Sequence, residues 1–187
     1  MRNIGAVASV LILLFSLSAC QTTPASYKDS AAYRIDNASR NSLNELLRTN
    51  KEARELKKKA KAVLVFPNIL KAGFMYGGQV GDGALFNTSG KTIGYYNTFA
   101  VSYGFQAGVQ GFGYALFFMD EDSLSYINES EGLELGVGPS LVVLDEGMGK
   151  VLSSTTLQKG IYAFVFDQAG LMAGAGIQGT KITRINP

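Results

Sequence analysis

Between Ile93 and Val109 the chain alternates. Ile93, Tyr95, Asn97, Phe99, Val101, Tyr103, Phe105, Ala107 and Val109 take the odd positions, and the even ones are mostly small or polar. Strand side chains point to opposite faces in turn, so a period of two held this long commits the segment to a sheet. After Gly111 the large residues move to even positions, at Phe112, Tyr114, Leu116 and Phe118. A one-residue slip flips every side chain to the other face, so a bulge or turn is expected at Gly111 and Gly113. Glycine supplies 22 of 187 residues, well above its usual share of roughly 7%. Glycine-rich strands of period two favour curvature. The expected fold is therefore α+β: a strongly curved antiparallel glycine-rich sheet, sandwich or barrel-like, with N-terminal helices packed on it.

Those helices are legible upstream. From Ser30 to Thr49, Ala32, Ile35, Leu43, Leu46 and Leu47 recur at helical spacing, which predicts one amphipathic helix with a candidate break near Asn37. Thr49 and Glu52 then have the spacing of a capping box, opening a second helix to about Lys61 with Ala53, Leu56 and Ala60 as its apolar stripe. The continuous apolar run Ala62–Phe66, closed by Pro67, suits a strand buried on both faces. Asp120 to Ser123 is expected to cap a short helix to about Ile127. Further strands are expected over Ser140–Leu144, Ile161–Asp167 and Leu171–Ile185.

The first nineteen residues read as an address rather than as fold. Met1, Arg2 and Asn3 make a short positive start, and Ile4 to Leu17 is apolar but shorter than the roughly 20 residues a spanning helix needs. The run ends in Leu17-Ser18-Ala19-Cys20, which matches the bacterial lipobox, with Cys20 as the acylated residue. Residues 1–19 are then a lipoprotein signal peptide, 20–29 a lipidated tether and 30–187 the domain. Lipoproteins of this kind carry several acyl chains, palmitate among them, and several chains hold firmly where one is marginal. Gln21, rather than Asp, after the cysteine points to the outer membrane, with the domain facing the periplasm.

Composition removes most other chemistry. There is no histidine and only one cysteine, which excludes Ser-His-Asp and Cys-His catalysis, His-ligated zinc and internal disulfides. A net charge of +2 gives no electrostatic footprint for nucleic acid. Gly174 to Gly179 fits G-x-G-x-x-G, but only eight residues follow, too few for a dinucleotide-binding unit. Gly90-Lys91-Thr92 resembles a phosphate loop that lacks its first glycine, so Ser89-Gly90 reads as a turn. Asp82, Asp120, Glu131, Glu134 and Asp145 are available carboxylates, read as loop solvation rather than as a catalytic pair. No cofactor, no metal and no enzymatic activity are expected.

Lys61 to Phe74, reading KAVLVFPNILKAGF, followed by Gly77-Gly78, Gly81 and Gly83, resembles the signature of the SYLF family of lipid-binding and actin-regulating domains. The likeness continues through Ser102 to Gly108, through Leu135-Gly136 and Gly138-Pro139, and ends in Lys159 to Phe164. Tyr103 between Ser102 and Gly104 departs from the family's serine-glycine pair. The resemblance implies lipid binding. Actin and phosphoinositides do not suit a periplasm, so an anionic phospholipid or another envelope amphiphile is the expected ligand.

Two groups of residues are the candidate lipid-binding site. Lys57, Lys58, Lys59 and Lys61 belong to a basic helix that suits anionic headgroups, although a solvated helix surface explains them as well. Lys71 beside Gly77 and Gly78 suits a cationic backbone nest for a phosphate, and Phe74 and Tyr76 suit the acyl boundary. The competing reading of the glycines is packing alone. The competing function is a structural or assembly protein of the envelope that works through protein contacts.

Overall fold

The computed structural model describes residues 30–129, 133–135, 141–145 and 160–187, with the side chains of 104–106, 128–129, 133–135, 141–145 and 170–179 left aside. The signal peptide, Cys20, the tether, Glu131, Gly136 and Gly138-Pro139 lie outside the described residues. Two helices, α1 (Ala31–Thr49) and α2 (Lys51–Lys59), precede two very long strands, β1 (Ala62–Asn87) and β2 (Thr92–Phe118). After these come α3 (Glu121–Glu129), β3 (Leu133–Leu135), β4 (Leu141–Asp145) and β5 (Ile161–Ile185).

α1 is unbroken at Asn37, and Ser30 is its N-cap, its hydroxyl accepting from the Tyr33 N–H at 3.1 Å. The capping box at Thr49 does not form. Asn50 caps α2 instead, its side-chain oxygen accepting from the Ala53 N–H at 2.9 Å, while the Thr49 hydroxyl donates back to the Glu45 carbonyl at 2.8 Å. Asn50 outcompetes Thr49 because its extended backbone is the cap conformation and Thr49 still belongs to α1. Asp120 caps α3 as expected, accepting from the Ser123 N–H at 2.7 Å.

β1 and β2 form one long antiparallel hairpin, from Ala62 opposite Phe118 to Phe86 opposite Thr92. Its turn is pinned by Asn87, whose side chain accepts from the Lys91 N–H at 2.8 Å, and by Gly90 at φ 78°. Pro67 does not close the strand. The register shifts between Phe66 and Ile69, so Pro67 sits in a bulge, where a missing N–H is tolerated. The shift at Gly111/Gly113 is found where the sequence placed it, and β5 is one continuous strand against β2.

The five-stranded sheet runs β1-β2-β5-β3, with β4 also on β5. It is antiparallel except for the parallel β4–β5 pair. The sheet is neither closed nor strongly curled, contrary to the sandwich or barrel expectation. Helices do the covering that closure would have done. On one face Val63, Val65, Phe117 and Phe164 pack beneath Leu43, Leu46, Ala53 and Leu56 of α1 and α2. On the other, Leu64, Phe66, Leu116 and Ala163 pack with Ile127 of α3. Ala62–Phe66 is thus buried on both faces. The Ser39 hydroxyl, buried, donates to the Val65 carbonyl at 3.0 Å and fixes α1 to β1. β1 bends back at Met75, φ 61°, and glycine lets its two arms approach: a Cβ on Gly81 would lie 2.8 Å from the Asn68 carbonyl oxygen, and one on Gly73 would lie 2.6 Å from the Gly77 Cα.

Candidate functional site

The basic group lies on α2. Ala53 and Leu56 turn its apolar stripe into the core, so the cations occupy the outer faces. Lys58 Nζ stands 2.7 Å from Glu55 Oε1; that hydrogen bond, reinforced by the charges of Lys58, Lys51 and Lys59, holds the Glu55 carboxyl below the usual range. Lys57 is half-buried, and desolvation lowers its pKa. Lys59 is exposed, and Lys61 reaches Glu121 at 3.5 Å. Arg54 is structural: its guanidinium donates to the carbonyls of Leu47 and Arg48 at the end of α1, at 2.8 and 2.9 Å. The helix is therefore cationic on balance, with Lys58 paired to Glu55 and Lys61, just beyond its C-terminus, paired to Glu121.

The second group lies in the middle of β1. Lys71 is half-buried opposite Gln110. Phe74 and Tyr76 are 77% and 71% exposed, and Tyr76 faces Tyr103 across the ladder. Gly77 and Gly78 are strand residues opposite Ser102 and Val101. The positive φ here belongs to Met75, at 61°, and not to either glycine. The backbone nest expected at Gly77-Gly78 is not formed, because successive N–H groups of an extended strand point to opposite sides and do not converge on one anion.

These two groups are not brought together. α2 packs on the part of the sheet that starts at Ala62, whereas Phe74 lies twelve residues further along β1. Among the described residues, neither core cluster takes a member from β1 between Leu70 and Gly83, or from β2 between Asn97 and Gly111. The sheet there extends past its helices.

Sequence reasoning missed most of what that stretch presents. Leu70, Val80, Phe99, Val101, Tyr103 and Val109 are all about half exposed or more. Their alternation was legible, but a period of two does not say which face is buried. The signal that decides it is the intervening set: Gln79, Thr98 and Ser102 are buried, and the Thr98 hydroxyl has no hydrogen-bond partner.

Of the candidate carboxylates, Asp82 and Asp120 have described side chains, and both are engaged in structure. Asp82 accepts from Asn97 Nδ2 at 2.8 Å, and Asp120 accepts from the Gly160 N–H at 2.6 Å besides capping α3. A cavity of about 370 Å³ at the bulges, lined by Ser42, Asn68, Phe112 and Asp167 among others, holds a single carboxylate. No acid–base pair is formed there. Among the described residues no cluster of acidic, cysteine or histidine side chains is arranged to hold a metal, and no helix is long and apolar enough to cross a membrane. No family model matches the chain, and no curated protein is similar to it.

Proposed function

We propose that the chain is a SYLF-like lipoprotein, anchored through Cys20 to the bacterial outer membrane, whose periplasmic domain binds an anionic phospholipid or another envelope amphiphile without catalysing a reaction. The observation that carries this reading is the exposure of Phe74 and Tyr76 on one stretch of β1, with Lys71 nearby on the other face of the strand. Aromatic rings and a long cationic stem are the side chains that settle at a membrane interface, with their apolar bodies in the acyl boundary and their polar ends among headgroups. The basic face of α2 adds attraction to an anionic surface without a formed pocket.

The test is co-sedimentation with vesicles. Vesicles containing phosphatidylglycerol or cardiolipin should retain the domain better than neutral ones, and added salt should weaken retention, since exposed charges are screened beyond about 8 Å at physiological ionic strength. Equal retention on both kinds of vesicle removes the headgroup preference. No retention on either leaves the assembly-protein reading ahead.

A further inference from the structure

The middle of the β1–β2 hairpin is built inside out. Paired residues of a ladder share a face, so the register sorts the side chains. One face carries Phe74 opposite Ala107, Tyr76 opposite Tyr103, Gly78 opposite Val101 and Val80 opposite Phe99. Phe74, Tyr76, Val80, Phe99, Val101 and Tyr103 are all about half exposed or more. The opposite face carries Gly77 opposite Ser102, Gln79 opposite Ala100 and Gly81 opposite Thr98. Gln79, Ala100, Ser102 and Thr98 are the buried members of that set, and three of the four are polar. A sheet wetted on one side places its apolar residues inward and its polar residues outward. The reverse arrangement belongs to strands that face lipid.

From this pattern we infer that the exposed aromatic residues at the Met75 bend of the hairpin, Phe74 and Tyr76 of β1 with Tyr103 of β2, lie in the acyl boundary of the bilayer and contact lipid chains rather than headgroups. The inference rests on the lipid-binding reading above and names the surface that performs it. The sheet is open, and unpaired strand edges do not occur in the hydrocarbon. The bend therefore enters tip first, to the shallow depth of interfacial segments, about 5–10 Å.

Its borders fit that depth. Lys181 lies opposite Phe99 and is exposed, with a stem long enough to reach the headgroups from the edge of the patch. At the next pair on this face Asp82 and Asn97 bond to each other and end the apolar surface.

The chain contains no tryptophan, so one substitution supplies a unique probe. The mature acylated protein carrying Phe74→Trp, reconstituted in phosphatidylcholine vesicles with brominated acyl chains, should show emission shifted to shorter wavelength and lose most of its fluorescence to the bromines. Tyr103→Trp should behave the same way, and Asn41→Trp, on the exposed side of α1, should stay unquenched. Unquenched emission at both 74 and 103 overturns the inference. A blue shift that grows with protein density, without quenching, also overturns it and assigns the face to a second copy of the chain. Because these vesicles are neutral, quenching there leaves the face in lipid even if the anionic preference fails in co-sedimentation.

Discussion

Tyr76 and Tyr103 face each other across the β1–β2 ladder with ring centroids 5.0 Å apart and planes tilted by 42°. Both rings are mostly exposed, so the pair sits at the surface instead of in a core. Cross-strand pairs of this kind contribute about 0.2–1 kcal/mol. Replacing both tyrosines with serine should lower unfolding free energy by about 1 kcal/mol or less in urea titrations. The same double variant should lose vesicle retention that persists at high salt, since that part depends on apolar contact and not on charge.

The caps give a sharper contrast. Asn50 accepts from the Ala53 N–H, whereas the Thr49 hydroxyl only returns to its own helix. Asn50→Ala should therefore cost about 1 kcal/mol, the usual effect of losing an N-cap. Thr49→Ala, which the capping-box reading of the sequence would make equally costly, should change stability by less than about 0.5 kcal/mol. Paired denaturation curves decide between the two caps.

Helix positions, the double-sided burial of Ala62–Phe66 and the bulge at Gly111/Gly113 were all legible, because each follows from local periodicity. Closure of the sheet was not. It depends on whether helices or a second sheet layer cover the apolar faces, and that is a tertiary choice which α1, α2 and α3 settle. The site was half legible for a related reason. Phe74 and Tyr76 stood out beside glycines, but for Phe99, Val101 and Tyr103 the period of two left open which face is buried. The burial of Gln79, Thr98 and Ser102 on the opposite face decides it.

Thr98 offers a direct energetic test of this inverted face. Its hydroxyl is buried and lacks a partner. An unsatisfied buried polar group costs about 1–3 kcal/mol, so Thr98→Val, which keeps the shape and removes the hydroxyl, should stabilise the domain by about 1 kcal/mol. A rise in the urea midpoint with an unchanged slope is the expected result. Destabilisation would instead mean that the hydroxyl has a partner in solution.

Stability at alkaline pH should report the buried tyrosines. Desolvation raises the pKa values of Tyr114, Tyr96 and Tyr162 above the ordinary tyrosine value. In each case the unfolded chain releases the proton first. Their contribution is complete below about pH 10, the unfolded value, and is lost as pH rises toward the folded value. Melting temperature should fall above about pH 10, and Tyr114→Phe should fall less steeply. A parallel decline in both proteins would assign the loss to other groups.

The basic helix separates net charge from individual pairing. Between Lys51 and Lys61 six cations stand against Glu52 and Glu55, and Lys58 is bound to Glu55. A bilayer a Debye length away responds to the sum of these charges, not to which lysine holds which carboxylate. Each cation near an anionic surface contributes about 1 kcal/mol. Exchanging Lys57, Lys58 and Lys59 for glutamine should therefore weaken binding to cardiolipin vesicles by on the order of a hundredfold. Glu55→Gln removes one negative charge and frees Lys58, so by the same arithmetic it should strengthen binding about fivefold. Vesicle titrations at two salt concentrations read both changes, and both should shrink as salt rises. If the triple variant binds as the unmodified protein does, α2 is a solvated surface and the exposed face of β1 and β2 carries the membrane contact alone.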